Sequence, residues 1–393
     1  MKRSSNITEK EKDSKGSEKT VKIFALASFL NDMGSDIIYP IWPIFVTSVL
    51  NAPMTILGFI DGLGDAIVSV SQAISGYISD KIRKRKVFVW SGYFLGFLSR
   101  IGYAFSATWH HLIPFRVLDR FGKIRAAPRD AIVADISNKQ NRGRNFGLIR
   151  AADNLGALLG IILCFLLLGI LGYRNLFLLA SIPSLLSVLL IIFFVKESSR
   201  KTKRIYKGIS LKDLSKNFRL FLFLNAIFAL GSFSYSFLMI FAKEFGFSEY
   251  YLPLLYLLFT LIASIFSLPF GKLSDKIGRK NVLLISYFLW ILVCFTIVNA
   301  SFAKELIILS FFLYGMHKGS FEPAQKAFVS ELSNPKYRAS SLGLFQMIVG
   351  LCALPSSLIA GILWDKISLF APFYLSIFLT LISIGILGIV KTK

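Results

Sequence analysis

Two pairs of acids and one run of basic residues stand in stretches that are otherwise apolar. FLNDMGSDIIYPIWP, residues 29–43, carries Asp32 and Asp36, and GFIDGLGDAIV, residues 58–68, carries Asp61 and Asp65. Residues four apart share one face of a helix. An ionised Asp at the centre of a membrane helix costs about 2.5–3.5 kcal/mol on insertion scales. Each acid therefore needs a partner, a water-filled cavity or a proton. The chemistry on offer is proton exchange or the binding of a cationic group. The competing reading is a fixed salt bridge with nearby basic residues.

The basic run is RVLDRFGKIRAAPRD, residues 116–130. Arg116, Arg120 and Lys123 follow i, i+4, i+7 and form one face, and Asp119 and Lys123 are spaced to pair. At a rise of about 1.5 Å per residue, Arg116 lies about 9 Å and Lys123 about 20 Å along a helix starting near residue 110. Asp36 and Asp65 fall at similar depth, so the acids of the first two segments are expected to meet this basic face. Arg125, Arg129 and Asp130 lie further along, and Pro128 predicts a kink. A second charged segment, YGMHKGSFEPAQKAF, holds Lys318, Glu322 and Lys326 at spacings of four, which would neutralise Glu322 from both sides. Arg100 and Asp153 read as members of local charge pairs. Ser232, Ser234, Tyr235 and Ser236 read as cavity lining or as ordinary helix packing.

The elements that must position these groups are membrane helices. The chain has 393 residues, 54% hydrophobic and 17% charged, more apolar and less charged than a soluble domain. Segments of about 20 apolar residues, the length of a bilayer span, recur throughout. Twelve are expected at about 22–49, 54–79, 86–106, 110–135, 146–170, 173–195, 219–243, 250–271, 281–300, 305–331, 341–363 and 370–390. The fold class is an all-α polytopic membrane protein. The net charge of +23 sits mainly in every second loop, the positive-inside pattern, which favours contact with anionic lipid over nucleic-acid binding. Both termini are expected on the cytoplasmic side of a cytoplasmic membrane. Residues 1–21 are polar with no apolar h-region, so a flexible tail and an uncleaved first span are expected. The basic stretch 196–218 divides the spans six and six, giving bundles 22–195 and 219–393.

Cys164, Cys294 and Cys352 lie inside apolar segments without ligand spacing, and His110, His111 and His317 form no cluster, so neither a metal nor a cofactor is expected. No H-E-x-x-H, G-x-S-x-G or Walker-type loop occurs, which argues against an enzyme or ATP drive.

The halves repeat. GYISDKI at 76–82 matches GKLSDKI at 271–277, and a second match from Ala131 to Leu148 repeats at 327–344 with an offset of 196. Here the chain resembles the major facilitator superfamily of secondary transporters, bacterial type, over about residues 22–390. The carrying motif is G-x-[LI]-[SA]-D-[RK]-x-G-[RK]-[RK] after the second span. GKLSDKIGRK at 271–280 is complete, and GYISDKIRKRK at 76–86 has Arg83 where the family prefers Gly. Within the family the chain is similar to drug/proton antiporter-like members: Gly147, Gly156 and Gly160 resemble most of an antiporter motif, although Ile161 stands in place of its Pro. Small residues four apart also simply let helices pack.

The resemblance implies two pseudo-symmetric six-helix bundles that alternate access, with spans 1, 4, 7 and 10 lining the cavity. It implies gating residues. Gly76 and Gly271 would allow close helix approach, Asp80 and Asp275 would accept from a neighbouring helix N-terminus, and Lys84 and Arg279 would pair with acids. Arg116 resembles the family's span-4 arginine linked to proton transfer. At offset 196 Asp130 corresponds to Lys326 with opposite charge, a potential gate pair.

The expected activity is export of a small organic solute coupled to protons. Asp32, Asp36, Asp61, Asp65, Arg116, Asp119, Arg120, Lys123, Tyr235, Lys318 and Glu322 are the candidates for holding solute or proton. The basic face of span 4 keeps open proton-coupled uptake of an anionic metabolite or siderophore-like chelate. A non-transporting sensor is a third class. The expected partners are the solute, protons and membrane lipids, with the protein a monomer.

Overall fold

The computed structural model describes residues 2–82, 84–138, 141–197, 214–333 and 338–391, with the side chains of 2–15, 80 and 338–340 outside that description. Most of the linker expected at 196–218, and the side chains of most of the expected tail, therefore lie outside the described residues.

Every described element is helical. Chain order is α1 (Lys2–Ile38), α2 (Trp42–Ile44), a π turn (Phe45–Val49), α3 (Met54–Ile82), α4 (Arg85–Phe105) and α5 (Trp109–Phe121). A 3₁₀ turn (Gly122–Arg125) leads to α6 (Ala126–Ile136) and the 53-residue α7 (Arg142–Phe194). The second half holds α8 (Lys216–Gly231), α9 (Ser236–Glu244), α10 (Leu252–Ile277) and α11 (Arg279–Val298), then α12 (Glu305–Leu332), α13 (Arg338–Lys366) and α14 (Ala371–Ile389). Each expected span coincides with helix. The boundary between spans 5 and 6 is Gly172 within α7, where φ of 69° and ψ of 177° break the helical backbone, so α7 is two helices joined at a kink.

Seven helical stretches among the described residues are long and apolar enough to cross a membrane. Those that fall short include α1, α4, α12 and the broken α5–α6, and these carry Asp32, Asp36, Arg100, Arg116, Arg129 and Lys318. The outward surface is greasy. Ile170 is 78%, Phe193 74% and Phe302 86% exposed, a surface suited to lipid and costly in water.

Two compact units form, Met1–Tyr39 with Ser71–Arg204 and Pro40–Val70 with Ile205–Lys393. The second unit thus takes in the start of α3. The local cause is a glycine seam. A Cβ on Gly62 would lie 2.7 Å from the Ala353 carbonyl, and one on Gly361 would lie 2.5 Å from Thr55 Cα. The backbones of α3 and α13 touch there because no side chain keeps them apart.

The repeat is visible as matched contacts. Ser187 Oγ donates to the Ala27 carbonyl, and Ser383 Oγ, 196 residues later, donates to Leu224. Lys86 Nζ donates to Ile192 O at 2.7 Å, and Lys280 Nζ donates to Gly388 O at 2.8 Å.

Candidate functional site

In the first unit the charges gather on α5, the 3₁₀ turn and α6. The helix tightens at Gly122 because it passes close to α4, where a Cβ on Gly122 would lie 2.7 Å from Gly92 O. The break expected at Pro128 therefore sits at 122–125, and Pro128 occupies the first turn of α6, where its missing N–H costs little. The tighter turn also moves Lys123 off the face of Asp119. Among the described residues the ion pairs of Asp119 are with Arg120 at 3.6 Å and Arg116 at 4.0 Å, which replace the expected pair with Lys123. Arg116 is buried. Arg120 donates to the Tyr39 hydroxyl at 3.3 Å and lies 5.2 Å over that ring. One carboxylate on the same helix and one tyrosine thus take up charge from the basic face.

Further along, Arg129 pairs with Asp130 at 3.0 Å and Asp153 at 3.9 Å and donates to Ser28 Oγ at 2.7 Å. Asp130 is thus paired within its own unit. Arg125 stacks 4.9 Å over Tyr93. Arg100 corrects the expectation of a charge pair. It donates to Ala180 O at 3.0 Å, Asn31 O at 3.1 Å and Ser35 Oγ at 2.8 Å, stapling α1, α4 and α7 through neutral acceptors. Asp32 accepts from Asn31 Nδ2 at 3.0 Å. Asp36 is buried. Gly160 of α7 packs on it, a Cβ there lying 3.1 Å from Asp36 Cβ. Gly156 likewise packs on Phe29 and Met33, whereas Gly147 has nothing within 4 Å. Two of the three glycines of the antiporter-like motif therefore pack α7 onto α1.

The second unit places Asp61 at the meeting of three elements. Trp42 Nε1 donates to it at 2.9 Å, Ser234 Oγ at 2.8 Å and Ser236 Oγ at 2.5 Å. Asp61 is only 3% exposed. The serines reach it because span 7 is broken between α8 and α9, at residues 232–235. Tyr235, in that break, packs edge-on against Tyr256 at 5.2 Å. Asp65, one turn after Asp61, is exposed.

On α12 the double neutralisation of Glu322 does not occur. Glu322 and Lys326 are exposed, and among the described residues neither Lys318 nor Lys326 pairs with Glu322 within 4 Å. Lys318 turns the other way, 5.5 Å over the Tyr314 ring. His317 is buried and exchanges hydrogen bonds with Ser286, whose hydroxyl is 3.0 Å from Nδ1.

The two loop motifs differ by one residue. Gly278, with φ of 89°, is the single residue between α10 and α11, whereas in the first copy α4 begins at Arg85, one motif position later than Arg279 begins α11. The cation register slips accordingly. Arg279 pairs with Asp275 at 2.9 Å and with Glu331 at 3.5 Å. In the first copy Arg85, not Lys84, pairs with Asp135, the residue equivalent to Glu331. Lys84 is exposed. A Cβ on Gly76 would meet Ala127 at 3.4 Å, while Gly271 has nothing within 4 Å, so the close approach expected at Gly271 is absent in this conformation. The side chain of Asp80 lies outside the described residues.

Sequence reasoning passed over several groups here. Trp42 gave no signal, and Ser236, read as cavity lining or helix packing, gave none that linked it to Asp61. Asp365, at the end of α13, accepts from Met54 N at 3.1 Å and from Thr55 N and Oγ1 at 2.7 Å each. Lys243 contacts Ser48 and pairs with Glu249 at 2.7 Å at the same end.

Comparison with known proteins agrees with this architecture. The family model described as Major Facilitator Superfamily matches residues 24–266 and 221–392. An uncharacterized MFS-type transporter of Methanocaldococcus jannaschii is 39% identical over 376 residues, 92% of each chain. The multi-drug resistance efflux pump PmrA of Streptococcus pneumoniae is 25% identical over 347 residues, 84% of each chain. Among solved structures, the nucleoside transporter NupG superposes with TM-score 0.76 at 16% identity, covering 94% of this chain and 98% of that one. A D-xylose-proton symporter superposes with TM-score 0.74 at 17% identity, covering 93% and 96%.

Proposed function

The chain belongs to the major facilitator superfamily, and from that premise we propose that this multi-pass membrane transporter exports a small organic solute in exchange for protons. Asp61 is the observation that carries the reading. A buried carboxylate held by an indole N–H and two hydroxyls can exist in either charge state. As the anion it accepts three hydrogen bonds. As the acid it donates one, and a serine hydroxyl can turn to receive it. The donors to Asp61 come from α2, from the break before α9 and from the first residue of α9, so gain of a proton changes what holds these elements together. Asp36, buried against Gly160, is the second candidate carrier.

The basic face of span 4 supports this reading over uptake of an anion. Asp119 lies within ion-pair distance of Arg116 and Arg120, and Tyr39 accepts from Arg120, so part of the positive charge that an anionic solute would meet is already offset. The efflux activity named for the Streptococcus pneumoniae relative favours the same direction. In this scheme the basic-loop side faces the cytoplasm, and Tyr235, Tyr314, Lys318, Glu322 and Asp65 flank the solute path.

The test is direction. A solute found by thermal-shift screening of the purified protein should accumulate in inside-out vesicles when their lumen is acidified. Accumulation confined to right-side-out vesicles with an inward proton gradient would overturn export and support proton-coupled uptake.

A further inference from the structure

α3 and α13 are an antiparallel pair of equal length, 29 residues each. Each carries an acid within its last three residues, Asp80 in α3 and Asp365 in α13. The resemblance to the superfamily assigns latches only to the two motifs around Asp80 and Asp275, on the basic-loop side. The opposite end holds a contact of the same chemistry. Asp365 accepts hydrogen bonds from both of the first two amides of α3 and from the Thr55 hydroxyl. Those amides lack carbonyl partners within their own helix, and the helix dipole favours an anion there. The glycine seam beside it sets α13 backbone against α3 backbone at Gly361 and Gly62, so the carboxylate reaches the amides without stretching.

We propose that Asp365 is a clasp that holds the ends of spans 2 and 11 together on the side remote from the basic loops, and that it must release before the solute path opens there. The clasp requires only that the protein alternates access. It is independent of which solute moves, which ion is coupled and in which direction.

The test uses spin labels at the exposed positions 51 and 367, introduced where Cys164, Cys294 and Cys352 have been replaced by serine. Double electron–electron resonance on the full-length protein in nanodiscs, without solute, reads the separation of the two ends. Losing a helix cap of this kind should raise the ratio of open to closed ends about fivefold in Asp365→Asn. Thr55→Ala, which keeps both amide bonds, should raise it less, and Asp365→Glu should stay near the parent. Identical distance distributions in the parent, Asp365→Asn and Thr55→Ala would overturn the clasp. Thr55→Ala also keeps the test decisive should Asp365→Asn fail to fold.

Discussion

The two halves share a scaffold but not a chemistry. Ser187 to Ala27 is repeated as Ser383 to Leu224, and Arg85 to Asp135 as Arg279 to Glu331. Between these staples the equivalent positions part ways. Arg129 donating to Ser28 in the first half becomes Gln325 donating to Asn225 in the second. Arg125 lies over Tyr93, whereas Phe321, at the position of Arg125, lies beside Tyr287 at 5.8 Å. At the same offset of 196, Arg116, Asp119 and Arg120 stand opposite Phe312, Gly315 and Met316. The first half thus runs its core on charge, and the second on aromatic rings and amides. A repeat of this kind separates what the fold needs from what one half adds to it. Contacts present twice hold helices together, and groups present once are where solute or proton chemistry should be sought.

The comparison can be broken from the neutral side first. Gln325→Arg places the first half's guanidinium in the second, where Val349 stands at the position of Asp153. A buried charge without its acid should cost about 3–5 kcal/mol, read as a large drop in thermal stability or in yield of folded protein. If the variant is as stable as the parent, the two cores are interchangeable and the contrast means little.

A smaller effect sharpens the comparison at the loops. Arg85→Ala should lose the pair with Asp135 and destabilise by about 1–3 kcal/mol, because that pair is largely buried. Lys84→Ala, at an exposed position, should stay within about 0.5 kcal/mol of the parent. Thermal melts of the two variants side by side check the register. Equal losses, or a larger loss for Lys84→Ala, would restore the register that sequence matching gives.

Much of the fold was legible because membrane helices write themselves as length and apolarity, and the positions of all the expected spans coincide with helix. The repeat was legible through Asp135 and Glu331, and through the two Gly-to-Asp motifs. The loop register was not, because motif position aligns Lys84 with Arg279, whereas the pairs with Asp135 and Glu331 align Arg85 with Arg279. The helix break at Gly122 was hidden for a similar reason. Its cause is Gly92 on another helix, not a proline in the same one. Arg100 read as one of a charge pair because carbonyl acceptors on α1 and α7 carry no signature. Asp61 was found by spacing, but its donors lie 19 to 175 residues away, and Asp365 lies 311 residues from the amide it caps. Contacts at such separations depend on tertiary packing, which one sequence does not display.

The central claim is that Asp61 carries the coupled proton, and Asp61→Asn tests it most directly. Asparagine keeps the shape and an acceptor for Trp42 but cannot exchange a proton. In proteoliposomes the variant should lose accumulation driven by an imposed proton gradient, by about a hundredfold or more if coupling is the whole loss. Exchange of labelled for unlabelled solute, with no gradient, should continue near the parent rate. Accumulation driven by the gradient at the parent rate would contradict the account and return the proton to another residue.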